Sequence, residues 1–135
     1  HLKPQHLPVI PDLAVVDLSF ISLKLVLPVL KENGIPLVLA LVKPQFEVGR
    51  AEAGRGKGVI RDPRLHKTVL QELVAYACAR GYCASALTFS RLPGPRGNLE
   101  FFVLWKSTDG GCACRKEIEA EIAGVVERAH RELAK

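Results

Sequence analysis

Leu37-Val-Leu-Ala-Leu-Val-Lys-Pro-Gln-Phe-Glu-Val-Gly-Arg50 is the stretch that decides the fold. Leu37 to Val42 is an unbroken apolar run that ends at Lys43, followed by Pro44. A short run that is apolar on both faces reads as a strand of a parallel sheet with helices covering both sides. A lysine at the mouth of such a strand is a poor choice for a core, so its purpose has to be sought in chemistry.

Upstream, Leu13 to Asp17 is a second apolar run and predicts another buried strand. Between the two, Ile21 to Glu32 places Leu23, Val26, Leu27 and Leu30 at helical spacing. Ser19 or Ser22 can cap this helix, Asn33-Gly34 stops it, and Pro28 inside it predicts a kink or a break. Downstream, residues 44–62 hold four glycines and no periodicity, and read as a long loop. Asp62-Pro63 opens a helix that runs to about Arg80, with Leu65, Val69, Leu73 and Ala77 on one stripe. Tyr82 to Ser90 is a third strand, Arg91-Leu-Pro-Gly-Pro-Arg-Gly-Asn98 a turn, and Leu99 to Lys106 a fourth strand returning antiparallel to the third. Arg115 to Lys135 is an amphipathic helix. The order β-α-β-α-β-β-α makes an α/β sheet of parallel strands plus one reversed strand, with flanking helices.

The composition is that of an ordinary globular domain: 48% hydrophobic and 24% charged in 135 residues. Net charge is +5, and seven Lys/Arg against three Asp/Glu fall between Lys43 and Lys67. That excess favours an anionic partner such as nucleic acid. The longest uncharged apolar run, Ile35 to Val42, is too short to span a bilayer, and nothing in the first residues resembles a signal peptide. The first residue is His1 rather than methionine, so a piece of a longer protein is expected. Cys78, Cys83, Cys112 and Cys114 lack zinc-site spacing and read as free thiols in a reducing compartment, with no metal.

Ligands of open α/β sheets bind beyond the carboxyl ends of the parallel strands. Asp17 ends the first strand, Lys43 ends the second, and Glu100 opens the reversed strand, so all three fall on one rim. A lysine held between carboxylates suits removal of a proton from a weak acid such as a sugar hydroxyl. A structural ion pair at a strand end is the plainer alternative. Phe20 and Trp105 read as core or interface residues, Phe46 as an anchor for its loop, and His66 as a surface residue without a role.

Asp17-Leu-Ser-Phe-Ile-Ser-Leu-Lys-Leu-Val-Leu-Pro-Val-Leu30, Leu41-Val-Lys-Pro-Gln-Phe-Glu-Val-Gly-Arg50, Gly56-Lys-Gly-Val-Ile-Arg-Asp-Pro63 and Gly94-Pro-Arg-Gly-Asn-Leu-Glu-Phe101 occur in that order. Together they resemble the hemolysin A (TlyA-type) family of ribosomal RNA 2′-O-methyltransferases, relatives of the FtsJ/RrmJ-like methyltransferases. The resemblance implies a Rossmann-like class I methyltransferase domain of which residues 1–135 are the C-terminal half. The cofactor-binding glycine loop and an RNA-binding domain would lie upstream. It implies a cytoplasmic enzyme using S-adenosylmethionine, with ribosomal RNA or ribosomal subunits as partner and no membrane. Carried over motif by motif, Asp17, Lys43 and Glu100 would be catalytic, and Asp17, Leu18 and Ser19 would lie at the cofactor. A first catalytic lysine, upstream in such proteins, has no counterpart here, and the fragment alone is expected to be inactive.

The basic loop supplies Gln45, Arg50, Arg55, Lys57 and Arg61 as candidate contacts to RNA phosphates, with a solvated loop as the alternative. A non-catalytic RNA-binding module, a membrane-lytic protein and an unrelated nucleotide-binding oxidoreductase are the competing functions. With no upstream neighbour, the strand at residues 13–17 would be an exposed apolar edge, and self-association through it is expected.

Overall fold

The protein was analysed as a computed structural model that describes residues 3, 8–49, 54, 56–110 and 115–133. Arg50, Arg55, Cys112 and Cys114 fall outside the described residues. Four strands, β1 (Ala14–Val16), β2 (Leu37–Val42), β3 (Tyr82–Phe89) and β4 (Phe101–Ser107), form one sheet in the order β1-β2-β4-β3. β1 and β2 are parallel, and β4 is antiparallel to both β2 and β3. The last strand is therefore the reversed one, inserted between its predecessors. Its regular pairing begins at Phe101, so Glu100 stands just ahead of the strand rather than within it.

Among the described residues four α-helices accompany these strands: α1 (Leu23–Glu32), α2 (Pro44–Glu47), α3 (Pro63–Ala79) and α4 (Arg115–Leu133). α3 packs on β3, on α4 and on α1, which makes α1, α3 and α4 one layer. The strand residues facing that layer, Val38, Ala40, Val42, Phe101, Val103 and Trp105, are fully buried. Register pairs them as Val38–Trp105, Ala40–Val103 and Val42–Phe101. The alternate residues Leu37, Leu39, Leu41, Phe102 and Leu104 face the other side and are only partly buried. The two-sided apolar pattern of β2 is thus real, yet among the described residues the helical cover lies on one face.

Pro28 neither ends nor divides α1. A proline leaves the carbonyl four residues earlier without its helical donor. Here that carbonyl belongs to Lys24, and the Tyr76 hydroxyl of α3 donates to it at 2.7 Å. The helix start is doubly held. Ser22 caps it by accepting from the Lys24 N–H at 3.0 Å. Glu47, at the end of α2, accepts from the Leu23 N–H at 2.8 Å and from the Ser22 hydroxyl at 2.5 Å. Burial raises the Glu47 pKa, against the pull of those hydrogen bonds and of Lys24.

The cysteines are not all free thiols: Cys78 is free, but Cys83 is disulfide-bonded.

Candidate active site

The parallel pair β1–β2 ends at one rim of the sheet, and β4 begins there. Val42 is paired with Phe101, so Lys43 and Glu100 occupy the next step of the same antiparallel register. Val16 is paired with Ala40, which brings Asp17 to that rim from the other side. The chain passes straight from β2 into α2, with Lys43 as the extended residue before Pro44 at the first helical position. Such a junction leaves the lysine little freedom to move along the rim.

The Lys43 side chain is 13% exposed, and its ammonium contacts an Asp17 carboxylate oxygen at 2.5 Å. It also donates to the Ser19 hydroxyl at 3.2 Å. An ammonium has three N–H groups, so one remains for a further acceptor. The Asp17 side chain is 63% exposed, which leaves it open to whatever approaches the rim.

Glu100 is buried and takes a different partner, the Gln45 amide, at 3.0 Å. Gln45, expected from the sequence at RNA phosphates, is thus engaged inside the protein. The single turn of α2 swings Gln45 inward, and its side chain is buried against Glu100 rather than offered to solvent. The Gln45 Oε1 atom is buried without a hydrogen-bond partner. Gly94 lies under Glu100, where any Cβ would overlap the carboxylate. The Gly-Pro-Arg-Gly turn is therefore shaped around this glutamate.

Asn98 is buried and ties that turn to the basic loop. Its Oδ1 accepts from the Ile60 N–H at 2.9 Å, while its amide donates to the carbonyls of Gly58 and Pro95 at 2.9 and 3.1 Å. Arg96 adds a hydrogen bond to the Lys57 carbonyl at 2.6 Å. Asn98 and Glu47 both act across long sequence separations and were missed in the sequence. The turn chemistry around Asn98 was the one local signal for it.

Leu18, Ser19, Lys57 and Arg61 are exposed, and Arg50 and Arg55 lie outside the described residues. Phe20 is not in the core. It is 88% exposed, has a left-handed φ of 65°, and lies 4.8 Å from the Phe46 ring. His66 is not a surface residue. It is fully buried, with Nε2 at 3.0 Å from the Ile60 carbonyl and Nδ1 at 2.7 Å from Nε2 of His130. Burial, and then the neighbouring His130, push its pKa down to about 4. Trp105 is fully buried, as its sequence context indicated. Among the described residues no group of His, Cys, Asp and Glu could hold a metal ion.

An α/β sheet that offers a lysine and two carboxylates at the ends of three strands has the makings of a catalytic rim. The FtsJ-like methyltransferase family model matches residues 1–107, and the chain belongs to that family. It is 43% identical over 125 residues to "Putative rRNA methyltransferase YqxC" of Bacillus subtilis (strain 168), covering 91% of this chain and 44% of that protein. It is 44% identical over 99 residues to "16S/23S rRNA (cytidine-2'-O)-methyltransferase TlyA" of Mycobacterium tuberculosis, covering 72% of this chain and 36% of that one. A solved structure titled "Putative hemolysin from Streptococcus thermophilus" superposes with a TM-score of 0.91 at 36% identity, over 99% of this chain and 48% of that chain. The chain thus spans less than half the length of these relatives.

Proposed function

We propose that the protein of which this chain forms a part methylates a ribose 2′-hydroxyl of ribosomal RNA, with S-adenosylmethionine as methyl donor. The chain would be the C-terminal part of its methyltransferase domain. The observation that carries this reading is Lys43, nearly enclosed at the rim, ion-paired with Asp17 and opposite the buried Glu100 at the next step of the β2–β4 register. The rRNA methyltransferase names of two relatives support the reaction class.

In this reading the third Lys43 N–H meets the ribose oxygen, and the ammonium stabilises the negative charge that develops there as the oxygen takes the methyl group from the sulfonium. The hydroxyl proton leaves to water at the open rim beside Asp17. Asp17 and Ser19 fix the direction of the ammonium. Glu100, set by Gln45 and Gly94, keeps a second carboxylate at the rim for a further donor. S-adenosylmethionine, when bound, supplies the methyl group on a sulfonium. The exposed carboxylate of Asp17, beside Leu18 and Ser19, fits a cationic group approaching this end of β1. These three residues would form a side wall of the cofactor site. Lys57 and Arg61 remain the described candidates for RNA phosphates; Arg50 and Arg55 keep that role as an expectation from the sequence alone.

A membrane-lytic reading finds no support in the helices: among the described residues none is long and apolar enough to cross a membrane. The test is nucleoside mass spectrometry of ribosomal RNA after incubation with the full-length protein and S-adenosylmethionine. A new 2′-O-methyl nucleoside is expected. Methyl groups confined to bases, or none on any ribosomal substrate, would refute the reading.

A further inference from the structure

A second feature of the molecule lies away from Lys43. Between the basic loop, the Gly-Pro-Arg-Gly turn and α4 there is a cavity of about 370 Å3, lined by Arg61, Arg96, His130, Val59, Leu99 and Leu133, among others. It has the size of a small-ligand site. Among the described residues no acidic side chain lines it, although Asp62 is close enough to act on both His66 and His130.

The hydrogen-bond logic of its histidines is fixed by one carbonyl. The Ile60 oxygen can only accept, so Nε2 of His66 must carry the proton. Neutral His66 then accepts at Nδ1, and Nε2 of His130 must donate to it. Nδ1 of His130 is left as the open nitrogen of the pair. Protonated at Nδ1, without breaking either bond, His130 can donate to an anion; burial lowers its pKa and the nearby Asp62 opposes that shift. Arg61 makes no hydrogen bond or ion pair among the described residues. Arg96 spends one N–H on the Lys57 carbonyl, and its other guanidinium donors stay available.

The backbone at Arg96 gives an independent sign. Its φ is 59°, a left-handed conformation that glycine adopts more easily than any residue with a Cβ. Strained positions of this kind cluster at ligand sites. Asn98 and the Arg96–Lys57 bond lock the two arginine-bearing loops to each other, so the backbones that carry Arg61 and Arg96 are fixed relative to one another.

We propose that this cavity binds a backbone phosphate of the RNA substrate, gripped by Arg61, Arg96 and His130, with the adjoining ribose or base against Val59, Leu99 and Leu133. The proposal rests on the RNA reading above and extends the RNA contact to the turn after β3 and to α4. One ligand chemistry serves free phosphate and RNA, and the two are separated by experiment. In the full-length protein, inorganic phosphate is titrated while the imidazole resonances of His130 are followed by NMR. The affinity for ribosomal RNA is then measured against salt. The comparison is the Arg61→Ala/Arg96→Gly double variant, whose glycine suits the left-handed backbone.

Phosphate is expected to shift the His130 resonances in the wild type and not in the double variant. The slope of log affinity against log salt is expected to fall by about one in the double variant. His130 resonances that ignore phosphate, or an unchanged slope in a folded double variant, would overturn the pocket. Phosphate binding without any RNA affinity in the wild type would overturn its RNA assignment. Loss of the pocket beside intact 2′-O-methyl transfer would leave the functional reading standing, so the two failures are distinguishable.

Discussion

Replacing Asn98 by alanine removes three hydrogen bonds at once, those to Ile60, Gly58 and Pro95. The Ile60 N–H is buried and would be left unsatisfied, at a cost of about 1–3 kcal/mol. Each of the two carbonyls loses a donor, but both sit in loops where water can reach, so each loss is roughly 0.5–1.5 kcal/mol. Partial relaxation of the turn keeps the total near ~2–4 kcal/mol. For a domain of this size that lowers Tm by roughly 6–12 °C. Urea and thermal unfolding monitored by circular dichroism measure both quantities. Asn98→Asp keeps the acceptor for Ile60 but turns a carboxylate toward two carbonyls, and is expected to be no better than alanine. A loss below about 1 kcal/mol in Asn98→Ala would refute the claim that this side chain holds the two loops together.

Other consequences follow from the same geometry. Gly94→Ala drives a Cβ into the Glu100 carboxylate; the expected result is displaced Glu100 and at least a tenfold loss of methyl transfer in the full-length protein, checked by steady-state kinetics beside a Tm. Neutral buried His66 makes stability pH-dependent: its contribution is complete above the unfolded pKa of 6.5 and is lost as pH falls toward about 4, up to ~3 kcal/mol. Glu47, raised above 4.5, has the opposite slope at the acid end of that range, because the native state there holds its proton more tightly. Urea midpoints are therefore expected to be lower at about pH 5 than at about pH 7.5, with the difference reduced in His66→Gln; equal midpoints in the wild type would count against it. The edge of β1 exposes Val15 at 70%, beside the exposed Leu13 and Leu18, and the 135-residue chain by itself is expected to associate. Concentration-dependent light scattering that Val15→Lys abolishes would bear this out, and a monomer at all concentrations would contradict it.

The sheet was legible because its strands are written as apolar runs with sharp ends. Leu37–Val42 stops at a lysine and a proline, and the short link before Phe101 leaves only an antiparallel return. Asp17, Lys43 and Glu100 could be brought to one rim from strand direction alone. What could not be read depends on side chains meeting across the fold. Gln45 sits in a basic stretch and looks like a surface residue until Glu100, 55 positions on, is placed beside it. His66 sits near a helix start, where surface is the plain reading, and only α4 and the Ile60 carbonyl reveal its burial. Phe20 has a core-like side chain on a left-handed residue that the sheet turns outward. Pro28 carries a local rule for breaking helices, and the hydroxyl that cancels it comes from Tyr76, on another helix.

The most direct test of the central claim compares Lys43 with an apolar side chain of similar length in the full-length protein. Wild type and Lys43→Met are incubated with ribosomal subunits and methyl-labelled S-adenosylmethionine, and cofactor binding and Tm are measured alongside. A folded, cofactor-binding variant that transfers label at least about 100-fold more slowly is the expected result. A folded variant that transfers label within about twofold of wild type would make Lys43 a structural ion-pair partner of Asp17 and contradict its catalytic role.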